Sequence, residues 1–382
     1  MEKSRRKVAI STKKQYKFAI IGLLLLATLA AIPAGIFLLP EDAPQLDAGT
    51  SSSSSPTFSV PSVSTSEATT TPTTLPATEP TQPPATTLPT VKRPASGSTK
   101  QYIGPSISSV KAKKAFVYDL ESETYLFLKS ETDALVYPAS ITKLFSAYMI
   151  LQYLSPDHLV TAGDILKTVP RDSSVAGLKK GDTLTVKDLL AGMLLPSGGD
   201  ASRVLAAEAG RAISRNKKLP DAEAMAVFMK VMNFHARYVG MTNSQFINPD
   251  GYHHADHFSC MADILIIARL ALETPLIMEL AGTAHYSAKS VKGKKFTWHN
   301  SNYLLQYETH PSYWSGHAIG LKTGYTKAAG ACLLAAFNID GHIYITGVFK
   351  CPTKNGRYPI THTMLNSVVD VPAMDPPVSD AA

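Results

Sequence analysis

Ser140 and Lys143 lie three residues apart in Pro138-Ala139-Ser140-Ile141-Thr142-Lys143, just ahead of an apolar run from Leu144 to Leu151. Proline is tolerated at the start of a helix but not inside one. Ser140 therefore falls near a helix N-terminus, where the macrodipole favours developing negative charge. A spacing of three puts the Ser140 hydroxyl and the Lys143 amine on one face. The run beyond Lys143 is apolar nearly all round, as in a helix buried in a core. Burial disfavours the charged amine, so its pKa falls towards neutrality. A hydroxyl beside such a base is the arrangement of covalent acyl transfer.

The spacing alone is not diagnostic. Ser4/Lys7, Ser11/Lys14, Ser108/Lys111 and Ser214/Lys217 repeat it in basic or polar surroundings. Two further stretches add chemistry. Leu194-Leu195-Pro196-Ser197-Gly198-Gly199-Asp200 reads as a turn between two helices and presents Ser197. Gly320-Leu321-Lys322-Thr323-Gly324-Tyr325 reads as a strand. There Gly324 removes a side chain and lets a substrate backbone approach the strand edge. Lys322 offers positive charge to a carboxylate, and Thr323 offers a hydroxyl. Taken alone, K-T-G also fits a solvated lysine and a turn glycine.

The elements that must position these residues follow from pattern. Ala115–Leu120 and Thr124–Leu128 read as two strands joined at Glu121-Ser122-Glu123. Asp157 to Thr283 is mostly helical. Thr185 and Asp188 look like an N-cap and its acidic partner, and helical spacing runs through Ala201–Ile213, Ala222–Tyr238 and Met261–Leu272. Strand character returns in Ala318–Tyr325, Ala331–Phe337 and His342–Phe349, the last two joined by Asp340-Gly341, a type I′ hairpin signal. The expected fold class is α+β. One antiparallel five-stranded sheet is built from both chain ends and packed with helices, beside a mostly helical inserted lobe.

S-x-x-K, a serine turn and K-T-G on a late strand together form the signature of penicillin-binding proteins and class A β-lactamases. From Lys114 to about Val368 the chain resembles the serine D-alanyl-D-alanine carboxypeptidases, the low-molecular-mass penicillin-binding proteins. The likeness extends to Val117-Tyr118-Asp119, Ala176-Gly177-Leu178-Lys179-Lys180-Gly181-Asp182, Leu184–Leu190 and Phe246-Ile247-Asn248-Pro249-Asp250-Gly251. The resemblance implies that Ser140 attacks the D-Ala-D-Ala carbonyl and Lys143 takes its proton. Ser197 relays a proton to the leaving D-alanine, and Lys322 and Thr323 hold the terminal carboxylate. The backbone N–H groups of Ser140 and Tyr325 form the oxyanion hole. The implied partners are peptidoglycan stem peptides and β-lactams, with no cofactor. One departure stands out. The family's S-x-N is here Ser197-Gly198-Gly199, so the asparagine amide is missing. Asp200 is no obvious replacement, and lower or altered activity is expected.

Two alternatives come from different classes. A β-lactamase on the same fold needs a deacylating glutamate, and no E-x-x-L-N stretch lies between Ser197 and Lys322. A slow penicillin-binding sensor or wall-binding protein fits Gly199, but Ser140, Lys143, Ser197 and Lys322 are all present.

Residues 1–17 carry seven basic residues against Glu2, a net +6 of the chain's +7. The high pI thus belongs to the tail and does not argue for nucleic-acid binding by the folded part. Residues 18–39 hold no charge and are long enough for a transmembrane signal-anchor. The basic flank places the N-terminus in the cytoplasm and the catalytic domain outside the cell membrane. Cleavage after Ala30, giving a secreted protein, is the competing reading. Residues 40–110 are rich in Ser, Thr and Pro and read as a disordered linker. The catalytic domain is expected over 111–371, with a short polar tail over 372–382.

His253, His254, Asp256 and His257 form a cluster without metal-ligand spacing, which fits a solvated loop. Cys260, Cys332 and Cys351 make no disulfide framework, although Cys332 and Cys351 are near enough in the strand plan to pair. Trp298-His299-Asn300-Ser301-Asn302 carries no assigned chemistry, and Met225 to Met232 is read as core packing.

Overall fold

The computed structural model describes residues 107–375 and residue 377. The basic tail, the anchor and nearly all of the linker expected from sequence lie outside the described residues. Among those described, no helix is long and apolar enough to cross a membrane.

The chain opens with β1 (Lys114–Asp119) and β2 (Thr124–Lys129), followed by a short β3 (Leu135–Val136). A 3-10 turn over Ala139–Ile141 leads into α1 (Thr142–Leu151). Next come β4 (Leu159–Thr161), β5 (Thr183–Thr185), α2 (Val186–Leu194), α3 (Gly199–Ser214) and α4 (Asp221–Tyr238). Then follow β6 (Ser259–Cys260), α5 (Met261–Leu272) and α6 (Pro275–Ala281). A two-stranded hairpin, β7 (His285–Lys289) and β8 (Lys295–His299), precedes the late strands. These are β9 (Ala318–Thr326), β10 (Gly330–Ile339) and β11 (His342–Cys351), and α7 (Arg357–Asn366) closes the domain.

The main sheet has five strands in the order β2-β1-β11-β10-β9. All its pairings are antiparallel, and Lys114 of β1 faces Phe349 of β11. Both chain ends thus build one sheet, as the pattern predicts, and β9, which carries K-T-G, is an edge. Alternate residues of a strand point to opposite faces. Phe116 and Tyr118 of β1, with Leu334 and Ala336 of β10, join a core shared with the helical lobe. Val117, Leu333, Ala335 and Phe337 join a second core closed by Tyr358, Met364 and Leu365 of α7. The sheet is therefore covered on both faces.

Helix α1 is buried from Thr142 to Ile150. It has no wet face, which explains why its apolar residues lack a single stripe. Thr185 caps α2 by accepting from the Asp188 N–H. Asp340 and Gly341 both have positive φ, the type I′ geometry. All three cysteines are buried, and none forms a disulfide.

Candidate active site

The site forms where the 3-10 turn, the α2–α3 turn and the β9 edge meet. Ala139 (φ 48°), Ser197 (φ 66°) and Leu321 (φ 75°) all occupy the left-handed region that non-glycine residues avoid. Each stands within one residue of a group singled out in sequence. Backbone strain of this kind persists only where the surrounding structure enforces it.

Ser140 leaves the turn pointing into a cleft of about 540 Å³. The Lys143 Nζ lies 2.9 Å from its Oγ and donates to the Asp250 carbonyl at 2.6 Å. Burial pushes the Lys143 pKa down to about 8, while the charge of Asp250 opposes the shift and that of Arg203 adds to it. An amine of that basicity next to a hydroxyl can accept its proton near neutral pH.

The carbonyl is aimed by a loop that α1 and α3 pin from two sides. The hydroxyls of Ser146 and Ser202 both donate to the Pro249 carbonyl, at 2.7 and 2.9 Å. Arg203 Nε pairs with the Asp250 carboxylate at 2.9 Å, and both side chains are buried. Sequence pattern does not assign Asp250 or Arg203, because their roles need residues some fifty positions apart to meet.

Ser197 lines the cleft at the start of α3. At Gly199, where an asparagine side chain is absent, an added Cβ would stand 3.1 Å from Asp250 Oδ2 and 3.4 Å from Ser173 Oγ. Asp200 does not fill the gap. Its carboxylate accepts from the N–H groups of Ala176, Gly177 and Leu178 and so anchors the preceding loop.

On the opposite wall, Gly324 brings β9 against the nucleophile. A Cβ there would sit 3.0 Å from the Pro138 carbonyl and 3.2 Å from Ser140 N. Lys322 is fully buried; burial lowers its pKa well below the ordinary lysine value, with Lys143 and Arg357 adding to the effect. Thr323 and Ser301 share a hydroxyl hydrogen bond of 2.7 Å, and Lys322 Nζ reaches both. Ser301 belongs to the Trp-His-Asn-Ser-Asn stretch left without chemistry from sequence, and the structure places it in the lining of the cleft. Arg357 from α7 also lines the cleft, donating to the Gly324 and Cys332 carbonyls. Tyr325 is half exposed, with Lys354 Nζ 4.5 Å from its ring centre. Lys354 and Arg357 thus line a wall where a carboxylate can be received, with the Lys322 amine buried behind Thr323 and Ser301.

The histidine loop differs from the solvated loop expected at one position. His257 is buried, facing Thr142 Oγ1 at 3.0 Å and accepting from Ile247 N at 3.3 Å. Burial lowers its pKa to about 4. It therefore braces the 3-10 turn as a neutral ring. Among the described residues no group of His, Cys, Asp and Glu is placed to hold a metal ion.

Residues 100–353 match the family model described as D-alanyl-D-alanine carboxypeptidase. The chain is 30% identical over 250 residues to the D-alanyl-D-alanine carboxypeptidase DacF of Bacillus subtilis, covering 64% of this chain and 59% of that protein. It is 31% identical over 261 residues to the D-alanyl-D-alanine carboxypeptidase of Streptomyces sp. K15, covering 66% and 82%. The crystal structure of the Streptomyces K15 DD-transpeptidase superposes with a TM-score of 0.61 at 28% identity, covering 69% of this chain and 98% of that one. With a matching family model, fold and cleft, this chain belongs to the D-alanyl-D-alanine carboxypeptidase family.

Proposed function

We propose that the protein is a serine carboxypeptidase that removes the terminal D-alanine from peptidoglycan stem peptides through an acyl-enzyme on Ser140. One observation carries this reading. The Ser140 hydroxyl lies 2.9 Å from a buried lysine amine and directly beside the edge strand that bears Lys322, Thr323 and Gly324.

In the first half-reaction Lys143 takes the Ser140 proton as Oγ bonds to the penultimate D-alanine carbonyl carbon. The Ser140 and Tyr325 N–H groups hold the developing oxyanion, and such donors are worth about 3 kcal/mol each. The C–N bond breaks, and the leaving amine takes a proton relayed through Ser197. Lys322 and Thr323, supported by Ser301 and Arg357, bind the terminal carboxylate. Water then cleaves the ester, releasing the shortened peptide and restoring Ser140. A β-lactam enters the same cleft, since its carboxylate and strained amide present the same groups.

The reading of the termini supports a catalytic domain outside the membrane, tethered by residues 18–39 and facing the wall. The test is D-alanine release from an L-Lys-D-Ala-D-Ala peptide by the full-length protein and its Ser140→Ala variant. Release that vanishes in the variant is the expected result. Labelling of Ser140 by a fluorescent penicillin without D-alanine release would point instead to a slow penicillin-binding sensor, the reading that Gly199 favours. Rapid turnover of the penicillin itself would point to a β-lactamase.

A further inference from the structure

The cleft is electrically lopsided. Lys354 and Arg357 line the side next to β9, with the Lys322 amine buried behind Thr323, while Asp172 and Asp250 line the other. Asp250 is already paired with Arg203. Asp172 has no cationic partner among the described residues, and its Oδ1 accepts from the Tyr252 hydroxyl at 2.9 Å. Contacts order the two sides. Gly324 abuts Ser140, Ser140 meets Lys143, Lys143 bonds the Asp250 carbonyl, and the Tyr252 N–H bonds Asp250 Oδ1. Asp172 is thus tied, through Tyr252 and Asp250, to the Lys143 side of Ser140, whereas Gly324 stands against Ser140 from the β9 side.

The loop that carries it is held in place. Ser173 N donates to the Pro170 carbonyl, Gly199 N donates to the Ser174 carbonyl at 2.8 Å, and Asp200 binds the N–H groups of residues 176–178. Gly199 lets this loop pack close to Asp250, since a Cβ there would stand 3.1 Å from Asp250 Oδ2 and 3.4 Å from Ser173 Oγ.

We infer that Asp172, held by Tyr252, is a subsite for a free ammonium group on the acyl side of the substrate. This rests on the carboxypeptidase reading, in which the terminal carboxylate sits on the Lys322 wall. The peptide then runs across Ser140 towards Asp172. A side-chain amine on the residue before D-Ala-D-Ala meets the carboxylate, whereas an acylated or cross-linked amine does not. The enzyme thereby selects stem peptides whose side-chain amine is still free.

The test uses Nα-acetyl-L-Lys-D-Ala-D-Ala and its Nε-acetylated form, titrated calorimetrically at low salt into full-length Ser140→Ala protein. An exposed ion pair predicts about fivefold tighter binding of the free amine. Adding Asp172→Asn, which keeps an acceptor for Tyr252, should bring the ratio of the two Kd values to near one. Asp164→Asn, an exposed acid that pairs with Lys167 and Lys180, should preserve it. A ratio near one before Asp172 is changed, a ratio that survives Asp172→Asn, or no binding of either peptide overturns the subsite. Absence of D-alanine release by the unmutated enzyme would count against the carboxypeptidase reading instead, because the Kd ratio needs no turnover.

Discussion

Lys143 and Asp250 meet through the main chain: Nζ donates to the Asp250 carbonyl, while the Asp250 carboxylate turns to Arg203. The amine is thus oriented without a carboxylate in direct contact. Burial remains the largest influence on its basicity.

The rate of Ser140 acylation by benzylpenicillin should follow that basicity. With the Lys143 pKa near 8, the neutral amine accumulates as pH rises. Acylation should increase about tenfold between pH 7 and pH 9 and then level off. Arg203→Gln removes a charge that lowers this pKa and leaves Asp250 unpaired, so the midpoint should move to higher pH. Stopped-flow acylation across pH measures both, and a flat profile would remove Lys143 from the role of base.

Gly199 separates an amide from a crowding effect. Gly199→Asn should raise the acylation rate, roughly fivefold for one recovered hydrogen bond. Gly199→Ala brings only the Cβ near Asp250 Oδ2 and should give no gain. An unchanged rate in the Asn variant would show that the amide is dispensable in this cleft.

His257 should make the fold acid-sensitive. The unfolded ring titrates near 6.5 and the folded ring near 4. Between those values the unfolded chain holds more protons, so stability is present above pH 6.5 and falls as pH drops to 4. The span is worth about 3 kcal/mol. The nearby charges are Asp250, which favours protonation, and His253, His254 and Lys143, which oppose it. His257→Gln retains a donor for Thr142 and cannot titrate. Urea unfolding from pH 4 to 7 should show a shallower slope for that variant.

Ser301 should matter to substrate binding more than to chemistry. Ser301→Ala removes the hydroxyl partner of Thr323 and one contact of Lys322. The KM for the peptide should rise about three- to tenfold with little change in kcat. A fall in kcat at constant KM would place Ser301 in the reaction itself.

The strands and long helices are legible in the sequence because their signals are local. Met261–Leu272 has the expected bounds, and the Thr185 cap and Asp340-Gly341 turn form as their residue types demand. The β7–β8 hairpin escapes notice because its strands are short and three of five residues in each are exposed. In the site, Ser140, Lys143, Ser197, Lys322 and Thr323 are visible as motifs; the structure brings four of them into one cleft and buries Lys322 just behind Thr323. Asp250, Ser301 and Arg357 act through partners distant in sequence, so no spacing marks them. His257 looks like part of a wet histidine run, and only its packing against Thr142 separates it from its neighbours.

The pairing of β1 with β11 also sets an order of events during synthesis. Lys114 meets Phe349 across about 235 residues of chain, so the sheet cannot close until nearly the whole domain has left the ribosome. The nucleophile and its lysine are made early, but the strand beside them is made about 180 residues later and is held in the sheet by β10 and β11, which follow it. An unfinished chain therefore carries the Ser140 motif without the wall that binds substrate, and chemistry waits for completion.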